Sequence, residues 1–370
     1  MMQFKRRKTR VVRIGRIVIG GDNPIAIQSM AKVKTSETDA VLRQAQDLAS
    51  AGCEILRVAV KDEADARAVK TIKKSISMPL VADIHFSQRL ALLAIESGAD
   101  KIRLNPGNIH KRKEVMEIAR ACRLHRIPVR VGLNSGSLKT LKRGAGGRRS
   151  SRDNGLADIM VKEALSYLRI FEREGFYDIV VSLKGSHLVD TIWAYRKMSR
   201  HCDYPFHLGV TASGLPEWGT VKSSIAIGAL LLEGIGDTIR VSLSAPPAEE
   251  VQVARSILQS LGLRNFGYEI VSCPTCGRCE VDLISKAREL QAGLKNLGIK
   301  GSGRPMSIAL MGCVVNGPGE AREADIGVAF AAKEGLLFKR GKPLRKVSFR
   351  DSVTVLLKEL KATGCCGLRR

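Results

Sequence analysis

Aromatic residues are scarce in this chain: 4 % are Phe, Trp or Tyr, and two of the 370 residues are tryptophan. The basic runs hold no more than one aromatic residue each, which argues against stacking on single-stranded nucleic acid. No stretch approaches the ~18–20 consecutive apolar residues of a membrane span. The N-terminal MMQFKRRKTR is basic but lacks the apolar core of an export signal, so the expectation is a cytoplasmic protein with no membrane association. Acidic residues are in deficit, with 36 Asp and Glu against 61 Lys and Arg and a formal net charge of +25. There is no acidic tail, no coiled-coil heptad and no repeat array. No Gly-x-Gly-x-x-Gly follows the first β-rich run, which removes the main support for an open, doubly wound nucleotide-binding sheet.

The excess charge is uneven. Residues 1–16 hold seven basic and no acidic groups, residues 139–155 six basic and one acidic, and residues 339–350 six basic and none acidic. Such patches steer acidic partners to the surface. Nucleic acid, an acidic redox protein and an anionic small substrate all fit, as does a merely solvated basic face. The length suits one large barrel plus a smaller domain.

Eight β-rich runs recur, each ending in polar residues: 24–30, 54–60, 79–86, 101–108, 128–136, 177–185, 206–214 and 237–245. Helical periodicity separates most of them, as at 37–51, 87–97, 111–124, 157–174 and 219–233. Eight alternating units over roughly 250 residues predict an α/β protein built on a (β/α)8 TIM barrel. VVRIGRIVI at 11–19 predicts a strand or hairpin capping one end. KTLKRGAGGRRSSRDNG at 139–155, rich in Gly, Ser and Arg, predicts a mobile loop. From about residue 264 the pattern changes to a second, smaller α/β domain. It has a strand that opens FGYEIVSCPTCGRCE (266–280), strands at 306–313 and 324–330, a helix over 280–297, a hairpin around Gly341 and a closing amphipathic helix.

Side chains two apart on a strand share a face. Asp83 and His85 then face the same way, as do Arg103 and Asn105, Arg130 and Asn134, Ser182, Lys184 and Ser186, His207 and Thr211, and Arg240 and Ser242; Arg57 lies in mid-strand. Barrel active sites lie at the C-terminal strand ends. Cations within apolar strands are costly unless they meet a partner. Arg57, Arg103, Arg130 and Lys184 outnumber the nearby strand carboxylates, of which Asp83 is the clear one. The missing anion is then the substrate, and guanidinium forks suit phosphate oxygens. The turns NPGN (105–108) and NSGS (134–137) offer further backbone N–H groups. The competing reading is that individual arginines close salt bridges within the barrel.

Nine cysteines, an odd number, argue for a reducing compartment. Cys53, Cys122 and Cys202 read as packing, and no role is expected for Cys365 or Cys366. Cys273-Pro-Thr-Cys276 is a closely spaced pair, Cys279 repeats the interval, and Cys313 follows about 40 residues later in MGCVVNGPGE (311–320). A zinc ribbon needs two such pairs. A thioredoxin-like pair would not need Cys313, and the radical-SAM spacing is absent. An iron–sulfur cluster is the best remaining choice. Its ligands would be either Cys273, Cys276, Cys279 and Cys313, or Cys273, Cys276, Cys313 and Glu320. Four thiolates suit electron transfer alone, whereas a carboxylate on the fourth iron is harder and more easily displaced.

QSM (28–30), VADIHF (81–86), RLNPGN (103–108), EGIGDTIRVSL (233–243), CPTC (273–276) and GCVVNGPGE (312–320) closely resemble the 4-hydroxy-3-methylbut-2-enyl diphosphate synthase family of the non-mevalonate isoprenoid pathway. The resemblance runs from about residue 9 to about 347. It implies a substrate-binding barrel domain (1–263), a 4Fe–4S cluster domain (264–370), and a head-to-tail homodimer in which one chain's cluster covers the other's barrel mouth. The implied reaction is the two-electron reductive ring opening and dehydration of 2-C-methyl-D-erythritol 2,4-cyclodiphosphate, with flavodoxin or ferredoxin as the acidic electron donor. The implied cluster ligands are Cys273, Cys276, Cys313 and Glu320, and the implied diphosphate clamp is Arg57, Arg103, Arg130 and Lys184. Asn134, Ser137, Thr211, Arg240, Ser242 and Asn316 match further substrate-site positions. Asn105 joins the substrate-binding candidates, and Asp83, His85, Asn316 and Glu320 are the catalytic candidates. Two departures stand out. Ala212 occupies the place of the family's usual glutamate, with Glu217 or water as the candidate replacement, and Cys279 is extra and expected not to be a ligand. The alternative function is a basic iron–sulfur protein that binds nucleic acid. A zinc-stabilised barrel protein without redox chemistry is a further rival.

Overall fold

The computed structural model describes residues 5–138, 155–185, 187–211, 213–297, 299, 304–313, 321–332 and 334–362. Asn316, Glu320, Ala212, Ser186, Cys365, Cys366 and all of the expected mobile loop except Gly155 lie outside the described residues. The chain divides into two compact units, residues 1–263 and 264–370.

The first unit begins with a hairpin, β1 (Val12–Ile14) and β2 (Ile17–Ile19). Eight parallel strands follow: β3 (Ala26–Met30), β4 (Ile55–Val60), β5 (Leu80–Ile84), β6 (Lys101–Leu104), β7 (Val129–Asn134), β8 (Ile179–Lys184), β9 (His207–Leu208) and β10 (Thr238–Ile239). Their order in the sheet is β8-β7-β6-β5-β4-β3-β10-β9. A parallel bridge between Val181 and Phe206, with the Val181 N–H donating to the Pro205 carbonyl at 3.0 Å, links the two ends into a barrel. Helices cover the outer face of the sheet and closure of the barrel encloses the inner one. β5 and β8 accordingly have no exposed residue, as expected of parallel strands.

The outer helices are α1 (Thr38–Ala51), α2 (Glu63–Ser75), α3 (Gln88–Glu96), α4 (Arg112–His125), α5 (Gly155–Arg173), α6 (Leu188–Met198), α7 (Pro216–Leu232) and α8 (Pro247–Ser260). Their starts follow local chemistry. Asp62 caps α2 by accepting the Asp65 N–H at 2.8 Å, Ser87 caps α3, and α7 and α8 open on proline. The hairpin does cap one end: Val12, Ile14 and Ile19 pack on Ala26, Ile55, Val81 and Val180 and seal the barrel floor.

The second unit is a five-stranded sheet, β11 (Tyr268–Ser272), β12 (Met306–Met311), β13 (Ile326–Phe330), β14 (Glu334–Lys339) and β15 (Lys342–Ser348), in sequential order. The first three strands are parallel and the last two antiparallel. Helices α9 (Leu283–Leu297) and α10 (Ser352–Ala362) pack on it through Leu290, Leu294, Val353, Leu356 and Leu360. Among the described residues, no helix is long and apolar enough to cross a membrane.

Candidate functional site

The strand registers arrange the inward side chains of the barrel in levels, each drawn from alternate strands. Lowest are Ile55, Lys101, Val180 and Thr238, followed by Gln28, Val81, Arg130 and His207. Above these stand Arg57, Arg103, Ser182 and Arg240. Met30, Asp83, Gly132 and Gly209 form the next level, and Ala59, Asn105, Lys184 and Ser242 lie at the mouth. The two glycines leave room where a side chain would otherwise fill the barrel. A Cβ at Gly132 would come within 2.8 Å of Arg103 Nε, and one at Gly209 within 3.0 Å of Lys184 Nζ. The faces predicted from strand alternation thus converge on one polar chamber.

Carboxylates answer only part of the positive charge. Asp83 is 4 % exposed; it accepts from Arg103 Nη1 at 3.1 Å and lies 3.7 Å from Arg57 Nε. Glu250 reaches in from α8, 1 % exposed. It accepts from Arg240 Nη2 at 3.2 Å and the Leu243 N–H at 3.0 Å, and pairs with Lys32 at 2.9 Å. The salt-bridge reading therefore holds for Arg57 and Arg103, which share Asp83, and for Arg240. It does not hold for the other two clamp residues. Among the described residues Arg130 and Lys184 make no ion pair, and Arg130 Nε and Nη1 have no hydrogen-bond partner. Nothing in the sequence marks Glu250, because two glutamates in a helix's first turn look like ordinary complements to the helix dipole.

Burial raises the Asp83 pKa, but Arg103, Arg57 and Arg130 together outweigh it and hold the carboxyl at about 2. Burial lowers Arg57 to about 10, with Arg240 and Arg103 adding repulsion against the pull of Asp83. Arg130 and Lys184 are pushed well below their usual values, first by burial and then by the neighbouring cations. An anion of multiple charge entering the mouth relieves all three effects.

The remaining predicted residues are distributed around the rim. Arg240 Nη1 donates to Ser242 Oγ at 2.5 Å. Asn105 Oδ1 accepts from the Gly107 N–H at 3.1 Å and lies 3.1 Å from Ser137 Oγ, which is also 2.7 Å from the Asn134 carbonyl. Asn105 and Ser137 thereby tie the two predicted turns together. His85 stands half-buried just past β5, and its Nδ1 has no hydrogen-bond partner among the described residues. Thr211 is half-buried just past β9, and Glu217 is exposed in the first turn of α7.

In the second unit, Cys273 follows β11 and Cys313 follows β12, at the same end of adjacent parallel strands. The Gly312 N–H donates to Cys273 Sγ at 3.2 Å, which stabilises a thiolate there. Thr275 adopts φ +57°, turning the chain between Cys273 and Cys276. Cys276 is exposed, and the Arg278 backbone N–H and guanidinium lower its thiol pKa. Cys279 is engaged differently: its thiol donates to the Val281 carbonyl at 3.3 Å and packs closely on Gly312. No group of three His, Cys, Asp or Glu is close enough to hold a metal ion among the described residues.

These features define a (β/α)8-barrel protein with buried cations lining the mouth, followed by a cysteine-bearing α/β unit. Residues 9–255 match the family model described as GcpE TIM-barrel domain and residues 269–362 that described as GcpE protein C-terminal domain, and the chain belongs to the GcpE family. The curated relatives carry the name 4-hydroxy-3-methylbut-2-en-1-yl diphosphate synthase (flavodoxin). That of Lawsonia intracellularis is 49 % identical over 349 residues, covering 94 % of each chain. That of Anoxybacillus flavithermus is 51 % identical over 357 residues, covering 96 % of this chain and 94 % of the relative. Among solved structures, Plasmodium falciparum HPPK-DHPS with pterin and p-hydroxybenzoate has a TM-score of 0.50 at 11 % identity, covering 77 % of this chain and 52 % of that one. That likeness concerns the fold alone.

Proposed function

We propose that this chain, like the relatives it matches over nearly its whole length, is a 4-hydroxy-3-methylbut-2-en-1-yl diphosphate synthase. It is an oxidoreductase of isoprenoid biosynthesis that opens 2-C-methyl-D-erythritol 2,4-cyclodiphosphate reductively and releases water. One observation carries the reading: Lys184 at the barrel mouth and Arg130 deeper in the same interior are buried without a carboxylate partner among the described residues. With Arg57 and Arg103, already half-neutralised by Asp83, they form a clamp suited to a diphosphate. Gly132 and Gly209 supply the space.

Cys273, Cys276 and Cys313, with Glu320, are the residues that would hold a 4Fe–4S cluster. The thiol chemistry fits: Gly312 N–H and Arg278 both favour thiolates, which metal ligation requires. When bound, the cluster supplies electrons one at a time to the substrate. The chain's own residues do the rest. The clamp orients the ring, and as the C–O bond to phosphate breaks, the cations stabilise the charge that develops on the released diphosphate end. Asp83 keeps Arg57 and Arg103 fixed in direction. The hydroxyl that departs as water takes a proton, for which Glu217, His85 or a water molecule is the candidate source, with Asn316 a candidate for hydrogen bonding at the substrate.

The electron donor is a flavodoxin, met by the basic surface. A head-to-tail homodimer is the proposed assembly, and an apolar face supports it. α7 (PEWGTVKSSIAIGALLL) has only Glu217 and Lys222 as charged residues, and it exposes Trp218 (71 %), Val221, Ile225 and Leu232 beside Val189 and Trp193 of α6. An outer helix that is apolar all round is expected to be covered. A donor that dissociates every turnover favours a charged contact, whereas a permanent copy of a strongly basic chain favours an uncharged one. Trp218→Glu with Ile225→Glu is expected to convert a dimer to a monomer in sedimentation velocity. A variant that sediments like the parent dimer would move the interface elsewhere.

The activity test is turnover of the cyclic diphosphate by anaerobically reconstituted protein with a chemical reductant. The expected product is the open-chain diphosphate in stoichiometric yield with two electrons consumed. A colourless protein without turnover, or one that instead retains nucleic acid on a filter at moderate salt, would refute it.

A further inference from the structure

Below the arginine level the barrel interior is neither apolar nor neutral. Lys101, Gln28, Arg130 and His207 face inward at its two lowest levels, each 0–1 % exposed. Among the described residues, Lys101 Nζ, Gln28 Nε2 and Oε1, Arg130 Nε and Nη1, and His207 Nε2 have no hydrogen-bond partner. Buried polar atoms in native proteins are normally paired, so a cluster of orphans in one enclosure calls for an occupant. The set is nearly all donors. The Thr238 hydroxyl lies 2.8 Å from His207 Nδ1; when it donates there, Nε2 carries the ring proton and becomes a donor as well. Gln28 Oε1 is the lone unpartnered acceptor of the cluster. No Asp or Glu stands at either level, and Asp83, two levels above Arg130, is already engaged by Arg103 and Arg57. The hairpin seals the floor beneath.

We infer that Lys101, Gln28, Arg130 and His207 form a binding site for a small monovalent inorganic anion of halide size, seated under the clamp. A halide accepts several hydrogen bonds without donating any, so it answers this donor set, and it neutralises charge that a water molecule leaves uncompensated. Arg130 then bridges the two sites, with the halide below and the substrate's diphosphate above. Burial, with Arg130 and Arg57 close by, pushes the Lys101 ammonium well down toward its neutral form; a halide alongside restores it. The competing arrangement is a neutral Lys101 among ordered waters.

Crystals of the full chain grown with bromide in place of chloride test the site by anomalous scattering at the bromine edge. A bromide peak enclosed by the four side chains is expected. Water density alone at that place, or bromide confined to surface lysines as an adventitious ion only, overturns the site. Thermal unfolding in chloride against gluconate at equal ionic strength is the second measurement, gluconate being too large for the enclosure. The parent is expected to unfold at a higher temperature in chloride, with saturation, and Lys101→Met and Gln28→Leu are each expected to lose that difference. An equal response of parent and variants overturns it. Neither measurement involves substrate, cluster or electron donor, so the halide site and the enzymatic reading fail independently.

Discussion

Cys276→Ser is expected to lose the brown colour of the reconstituted protein and to turn over more than about 100-fold more slowly than the parent. Even partners one step removed from metal ligands cost 10–100-fold when replaced, so a ligand itself costs more. Cys279→Ser is expected to keep both colour and turnover within about threefold. The two cysteines have the same spacing motif but different surroundings. Cys276 is exposed, and Arg278 favours its thiolate; the Cys279 thiol is spent on the Val281 carbonyl and on packing against Gly312. Iron content, visible absorption and single-turnover product on the two variants check this. If Cys279→Ser is the colourless one, the cluster is held by four thiolates and Glu320 is released from its assigned role.

Arg130→Met is expected to raise stability while cutting kcat/KM by about 10²–10³-fold, the range for losing one preorganised group that stabilises developing charge. The opposite signs follow from the site. Arg130 is 1 % exposed and has two nitrogens without partners among the described residues, so folding meets its desolvation without a carboxylate in return, and a well-packed apolar chain removes that cost. Arg103→Met should behave differently. It breaks a buried pair with Asp83 at 3.1 Å and leaves that carboxylate short of a partner, for a loss of about 3–5 kcal/mol. Denaturant midpoints beside steady-state kinetics for the two variants separate these roles. Equal destabilisation by both would mean that Arg130 is a structural residue.

The strand pattern was readable because parallel barrel strands are short, apolar and separated by helical periods, and each of the eight predicted runs contains an observed strand. Alternation then placed Arg57, Asp83, Arg103, Arg130, Lys184 and Arg240 on inward faces. The pairings were less legible. That Arg57 and Arg103 share one carboxylate depends on register between strands. That Arg240 meets Glu250 depends on where α8 packs, ten residues along the chain but across a change of element. Lys101 and Gln28 sit at strand positions whose depth in the barrel has no local signature along the chain.

Local chemistry, then, was enough for this protein's element order, its inward-facing cations and its closely spaced cysteines, since period, turn residues and spacing are properties of neighbours along the chain. Which cations remain unpaired, and how deep each lies, was decided by the closed barrel. Desolvation and charge pairing act through space, and only closure stacks Asp83 above Arg130, Lys101 and His207 inside one barrel.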